Sequence, residues 1–241
     1  MVLCVRPVER SHQRIVAVTE VALCSSVPTQ ILLGALLRLG GVAPIDDTGQ
    51  LSLTFVFTLS VADTGLLIGL MTALTWVRRE RVAALWLGGR PVGREARLGA
   101  LLVPLVFLLV VVLLNVLHVA APWLHNVPTN PLEQLAATPG RAAVFAVVAV
   151  LAGGVREELQ RAFLLQRFEQ HLGGATAGVV LLSAGFGAGH FVQGWDAVVT
   201  TALLGAFWAV LYLWRRSSVA PLVCHAGFNT LEVLRVAAFG V

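Results

Sequence analysis

The chain has 241 residues, 57% of them hydrophobic and only 12% charged, whereas an ordinary soluble domain carries about a quarter charged residues. With a mean hydropathy of +0.84, this excludes a soluble globular enzyme and predicts an integral membrane protein. All 17 basic residues are arginine, for a net charge of +4, and they stand at the ends of apolar runs, so the basic balance reads as membrane topology and not as a nucleic-acid surface.

In chain order, apolar runs predict seven membrane helices over about 15–37, 53–77, 98–121, 142–167, 175–192, 197–214 and 218–235. No charge occurs between Arg97 and Glu133 or between Glu169 and Asp196, runs longer than the ~20 residues a helix needs to cross a bilayer. Pro28 and Pro104 fall inside spans and predict kinks. Arg38 interrupts the end of the first segment and no cleavage site follows, so the segment does not read as a cleaved signal. Cys24 and Cys224 lie within apolar runs and Cys4 near the terminus, which gives no disulfide framework. The fold class is all-α: a single integral membrane domain over 1–241.

Arginine placement predicts an orientation. Arg6, Arg10 and Arg14 precede the first span, and Arg78, Arg79, Arg81, Arg90, Arg94 and Arg97 fill the second connection. Arg156, Arg161 and Arg167 cluster around the end of the fourth span, and Arg215 and Arg216 lie in the sixth connection. The alternate connections are nearly free of arginine, with Arg141 the exception. The rule that basic loops stay inside predicts a cytoplasmic amino terminus in an inner, bacterial-type membrane. The second connection, with Trp86, is expected along the membrane surface, as a topogenic loop or against anionic headgroups.

Ionisable groups within spans are functional candidates by default. Three clusters qualify: Glu157 and Glu158 with Arg161, Phe186 with His190, and His225 with Asn229. His225 and Asn229 are four apart and share a helix face, and Arg161 reaches Glu157 at i,i+4 or Glu158 at i,i+3. Gly173-Gly174 predicts the turn of a helical hairpin. Glu157 lies about as far before that turn as His190 lies after it, so the two meet at one height, roughly 25 Å from the turn. His225 follows Arg215-Arg216 closely, so the site is expected inside the membrane boundary and open to the cytoplasm.

Two chemistries suit these residue types. Glu157 and His190 can share a water as general base and acid, with His225 and Asn229 donating to a developing oxyanion. Alternatively, Glu157, His190 and His225 can hold zinc with an open position for water. The spacing matches no local zinc signature, so both stay open. Glu20 and Asp63 are read as helix–helix contacts, and His118 and His125 as interfacial, without catalytic partners. Gln193 and Trp195 are expected at the extracytoplasmic rim, and Gly185, Gly187 and Gly189 are expected to permit close helix packing.

Together, Glu157-Glu158 with a following Arg, Phe186 to His190, and His225 to Asn229 within "APLVCHAGFN" resemble the CPBP intramembrane proteases, which include the type II CAAX prenyl endopeptidases. The resemblance covers about 140–232. It implies that Glu157 and His190 activate water, that His225 and Asn229 stabilise the oxyanion, and that Glu158, Arg161 and Phe186 support them. It also implies a membrane-anchored or prenylated peptide as substrate, and it leaves a zinc ion open. One departure stands out. The family's Arg falls at Ala162 here, with Arg161 one place earlier and turned by about 100°. Two further readings stay beside the protease: a non-catalytic membrane interaction or bacteriocin-immunity protein pinned by the same cluster, and a cation or proton transporter. The transporter lacks repeated halves.

Overall fold

A computed structural model describes residues 7–239, with side chains from residue 11. Cys4, Arg6 and the Arg10 side chain therefore lie outside the described residues. The chain forms an all-α membrane bundle, and five stretches are long and apolar enough to cross a bilayer: Ser11–Leu39, Leu53–Val77, Val92–Ala120, Trp195–Arg215 and Val219–Phe239.

The first stretch is broken. Helix α1 (Pro7–Leu23) gives way to α2 (Val27–Leu39) at Ser26, whose φ is +70°. The sequence predicts a kink at Pro28, and the break falls just before it for a steric reason. A proline ring collides with the carbonyl four residues back, here that of Cys24. Pro28 instead occupies the first turn of α2, where its missing N–H costs nothing. The freed Cys24 carbonyl accepts a hydrogen bond from Gln160 Nε2 at 2.5 Å, and Ser26 Oγ accepts another at 3.0 Å.

Helix α3 (Leu53–Val77) is capped by Ser52 Oγ, which accepts from the Phe55 amide. The basic connection after it is anchored to the bundle. Its short helix α4 (Val82–Trp86) buries Leu85, and Trp86 Nε1 donates to the Leu159 carbonyl at 3.2 Å. Helix α5 (Val92–Ala120) runs uninterrupted through Pro104.

The fourth expected span is one helical run of three parts: α6 (Pro139–Val148), a π-helical segment (Ala149–Arg156) and α7 (Glu157–His171). Helix α7 is central and buried on most of its surface, with Phe163 and Leu165 packed against Leu67 and Met71 of α3. Gly173 and Gly174, both at positive φ, turn the chain into α8 (Gly174–Ala188), as the hairpin reading expects. At 15 residues, α8 is about 22 Å long, short of the ~30 Å hydrocarbon core. Of the three glycines expected to permit packing, Gly187 does so, since a Cβ there would lie 2.5 Å from the Val198 carbonyl oxygen; at Gly185 the space is open. Helices α9 (Trp195–Arg215) and α10 (Val219–Phe239) complete the bundle.

One end of the bundle is closed by ion pairs. Arg167, fully buried, forms ion pairs with Glu20 at 2.7 Å and Glu80 at 2.8 Å, and Arg78 pairs with Glu20 at 2.6 Å. Arg215 pairs with Glu95 and Arg216 with Glu169. The expected helix contact of Glu20 is thus a buried charge cluster joining α1, the end of α3 and α7.

Candidate active site

The π-helical segment delivers Glu157 and Glu158 to the first turn of α7. Such segments are rare and favour functional sites. Its Gly153-Gly154 pair lets α10 approach closely. A Cβ on Gly154 would lie 2.6 Å from that of Ala226, and one on Gly153 would overlap Asn229 Nδ2. Asn229 Nδ2 donates instead to the Ala149 carbonyl at 3.3 Å, tying α10 to the π segment.

This contact places His225 against both carboxylates. Glu158, 1% exposed, accepts from His225 Nδ1 at 2.8 Å and from Arg161 NH1. Because the carboxylate accepts there, the proton of that hydrogen bond sits on Nδ1, and Nε2 is turned towards Glu157 Oε2, 3.9 Å away. Two sequence neighbours thus address the two nitrogens of one imidazole. The ring is held by Trp208, stacked at 3.7 Å and 15°, and by Phe186, edge-on at 6.1 Å. Arg161 lies over the faces of both aromatics, 4.9 Å from Phe186 and 5.8 Å from Trp208. The displaced Arg161 therefore engages Glu158 through i,i+3 and leaves Glu157 to another partner.

That partner is Arg156. Its NH2 donates to Glu157 Oε1 at 3.0 Å and its NH1 to Asp63 Oδ2 at 2.5 Å. Asp63, fully buried on α3, also accepts from Thr29 and Gln30 of α2. Glu157 is the less buried carboxylate, 20% exposed, and faces a cavity of about 560 Å³ that His190, His225 and Asn229 also line.

His190 sits just beyond the end of α8 and not within a span, because α8 stops at Ala188. Its Nδ1 lies 2.8 Å from the Phe186 carbonyl. A carbonyl only accepts, so Nδ1 carries the proton and Nε2 keeps its lone pair in the neutral ring. Among the described residues no hydrogen bond joins His190 to Glu157. Nor do Glu157, His190 and His225 form a set of three ligand atoms within 4.8 Å of one another, whereas His118, His125 and Asp196 do.

The cavity extends from Glu157 towards the start of α9. Asn130, Glu133, Gln193 and Asp196 line it in the arginine-poor connections and at the start of α9, together with Arg235 of α10, which pairs with Glu133 at 3.2 Å. The lining reaches the arginine-poor connections, whereas the sequence reading expects the opening on the arginine-rich side. All of α7 separates Glu157 from that end, where Arg167, Glu20 and Glu80 seal the bundle. Sequence reasoning also missed Arg156, Trp208 and the glycine pair. Gly153-Gly154 in an apolar helix beside a charge cluster was a usable signal; Trp208 offered none.

Residues 139–231 match the family model described as type II CAAX prenyl endopeptidase Rce1-like. No curated protein and no solved structure matches the chain. The matched span contains Glu157, Glu158, Arg161, Phe186, His190, His225 and Asn229 and leaves out α1 to α5.

Proposed function

We propose that this integral membrane protein, whose residues 139–231 are of the Rce1-like type II CAAX prenyl endopeptidase family, hydrolyses a peptide bond in a membrane-anchored or lipidated substrate. The observation that carries the reading is the pair of carboxylates on opposite nitrogens of His225, beside a cavity shared with His190 and Asn229.

In this mechanism Glu157 and His190 hold the attacking water. The His190 Nδ1–H is committed to Phe186, so its Nε2 accepts from the water and orients it. Glu157 takes a water proton as oxygen attacks the substrate carbonyl carbon. The carbonyl oxygen becomes an oxyanion in reach of the second N–H of Asn229, the first being bonded to Ala149. His225 adds a second donor when its Nε2 is also protonated. Collapse breaks the C–N bond, and Glu157 returns the proton to the leaving amine. Glu158 and Arg161 position His225, and Phe186 and Trp208 fix its plane.

The test is cleavage of membrane-anchored and prenylated peptides by the protein in liposomes. Glu157→Gln and His190→Ala should each slow cleavage by about 10²–10⁴-fold while helical content is unchanged. Undiminished cleavage in both variants would sink the mechanism. The non-catalytic reading draws on Arg156, which ties Glu157 to Asp63 and so to α3. It expects Glu157→Gln to loosen the fold, with no turnover in the wild type.

A further inference from the structure

We infer that His118, His125 and Asp196 form a binding site for a divalent transition-metal ion, zinc by donor chemistry, in the lining of the cavity. The three come from distinct elements: the last turn of α5, the residue after the short 3-10 turn Pro122–Leu124, and the first turn of α9. They converge on one oxygen. His118 Nε2 lies 3.2 Å and His125 Nδ1 2.8 Å from Asp196 Oδ2, and all three ligand atoms fall within 4.8 Å of one another. The rings meet edge to face at 4.6 Å.

The second carboxylate oxygen is already occupied, since Asp196 Oδ1 accepts from the Ala197 amide at 2.8 Å. Oδ2 is thereby held towards the two rings, the kind of outer support that metal-ligating groups use. The backbone beneath is built for the arrangement. Gly194 has φ +113°, and a Cβ there would stand 2.6 Å from Asp196 Oδ1. Asn126, next to His125, accepts from the Trp195 amide at 2.9 Å, and Asn130 donates to Gln193 at 3.3 Å. These bonds join the 122–130 connection to the start of α9.

Two imidazoles and one carboxylate suit zinc, whose bonds to such ligands are about 2.0–2.2 Å in tetrahedral geometry. Ligand atoms on such a tetrahedron stand roughly 3.3–3.5 Å apart, so the 3.2 Å spacing of His118 to Asp196 is nearly there and the 2.8 Å spacing of His125 to Asp196 must open by about half an ångström or slightly more. The Asp196 side chain is 7% exposed and the His118 and His125 side chains 46% and 45%. A buried anion behind two accessible rings gives an ion a way in. All three line the cavity that also holds Glu157, and three protein ligands leave a fourth position for water or a substrate group. The site is separate from the Glu157 cluster and its test needs no turnover.

Purified full-length protein, stripped with a chelator and titrated with zinc, should bind one ion per chain at micromolar concentration and unfold at a higher temperature. Cobalt(II) should give the intense visible absorption of a tetrahedral site. His118→Ala and His125→Ala, at half-exposed positions, should each weaken binding by about a hundredfold or more, beyond the 10–100-fold effect of losing an outer-shell partner, and abolish that absorption. Glu157→Gln should keep both. Melting curves without metal verify that the variants fold, and the wild-type spectrum tests the site without any variant. No zinc or cobalt bound by the wild type overturns the proposal. So does binding that survives both histidine substitutions, or that is lost on Glu157→Gln alone.

Discussion

Glu157 and Glu158 are neighbours that end in different surroundings because one helical step turns the side chain by about 100°. Glu158 points inward to Arg161 and His225, and Glu157 points to the cavity and Arg156. Breaking the inner pair leaves a carboxylate buried without its guanidinium. Arg161→Ala should therefore destabilise the protein by about 3–5 kcal/mol, measured by denaturation in detergent, and a loss under 1 kcal/mol would count against a buried pair. Gly153→Ala should displace Asn229, whose amide occupies the space a Cβ would need. Cleavage should fall at least tenfold with the fold retained, and unchanged activity would remove Asn229 from the oxyanion role. The Glu-Glu-Arg cluster was legible as letters, and its i,i+3 option was readable from spacing alone. The contact of Arg156 with Asp63 was not, because 93 residues separate them.

At the scale of elements, the π-helical segment sets the direction in which both carboxylates face. Removing one residue from 149–156 allows an α-helical path and rotates one side of the run against the other by about 100°. Deleting Val150 should therefore abolish cleavage while the protein still inserts, and a second deletion outside the segment serves as control. The break between α1 and α2 depends on α7 in a comparable way. Gln160→Ala removes the donor to the Cys24 carbonyl and should cost about 1–3 kcal/mol. Hydropathy located the long helices well, because a continuous apolar run has few alternatives in a bilayer. It placed His190 inside a span and missed the π segment, since both depend on where backbone hydrogen bonds shift by a residue.

Across the whole molecule the ends of the bundle differ. Ion pairs of Arg78, Arg167, Arg215 and Arg216 gather at one, and Asn130, Gln193 and Asp196 line the cavity at the other. If the basic loops stay inside, the residues of this lining are expected on the extracytoplasmic side. A cysteine at Gln193, in a background lacking the native cysteines, should react with a membrane-impermeant thiol reagent from outside intact cells. Labelling only after permeabilisation would reverse the orientation and put the substrate on the cytoplasmic side.

The chain alone determined that this is a helical membrane protein, and it located the hairpin at Gly173-Gly174 and the residues of three polar motifs. Those features follow from apolar run length, glycine conformation and spacing along one helix, all local properties. Tertiary structure alone decided that His225 stands between two carboxylates, that Arg156 belongs with Asp63, that Glu157, His190 and Asn229 line one cavity, and that His118 and His125 share Asp196. Each of these joins side chains from helices distant in sequence. Their meeting is fixed by how closely glycine-lined helices pack and by where buried charges find opposite charges, and neither is written in any single stretch of sequence.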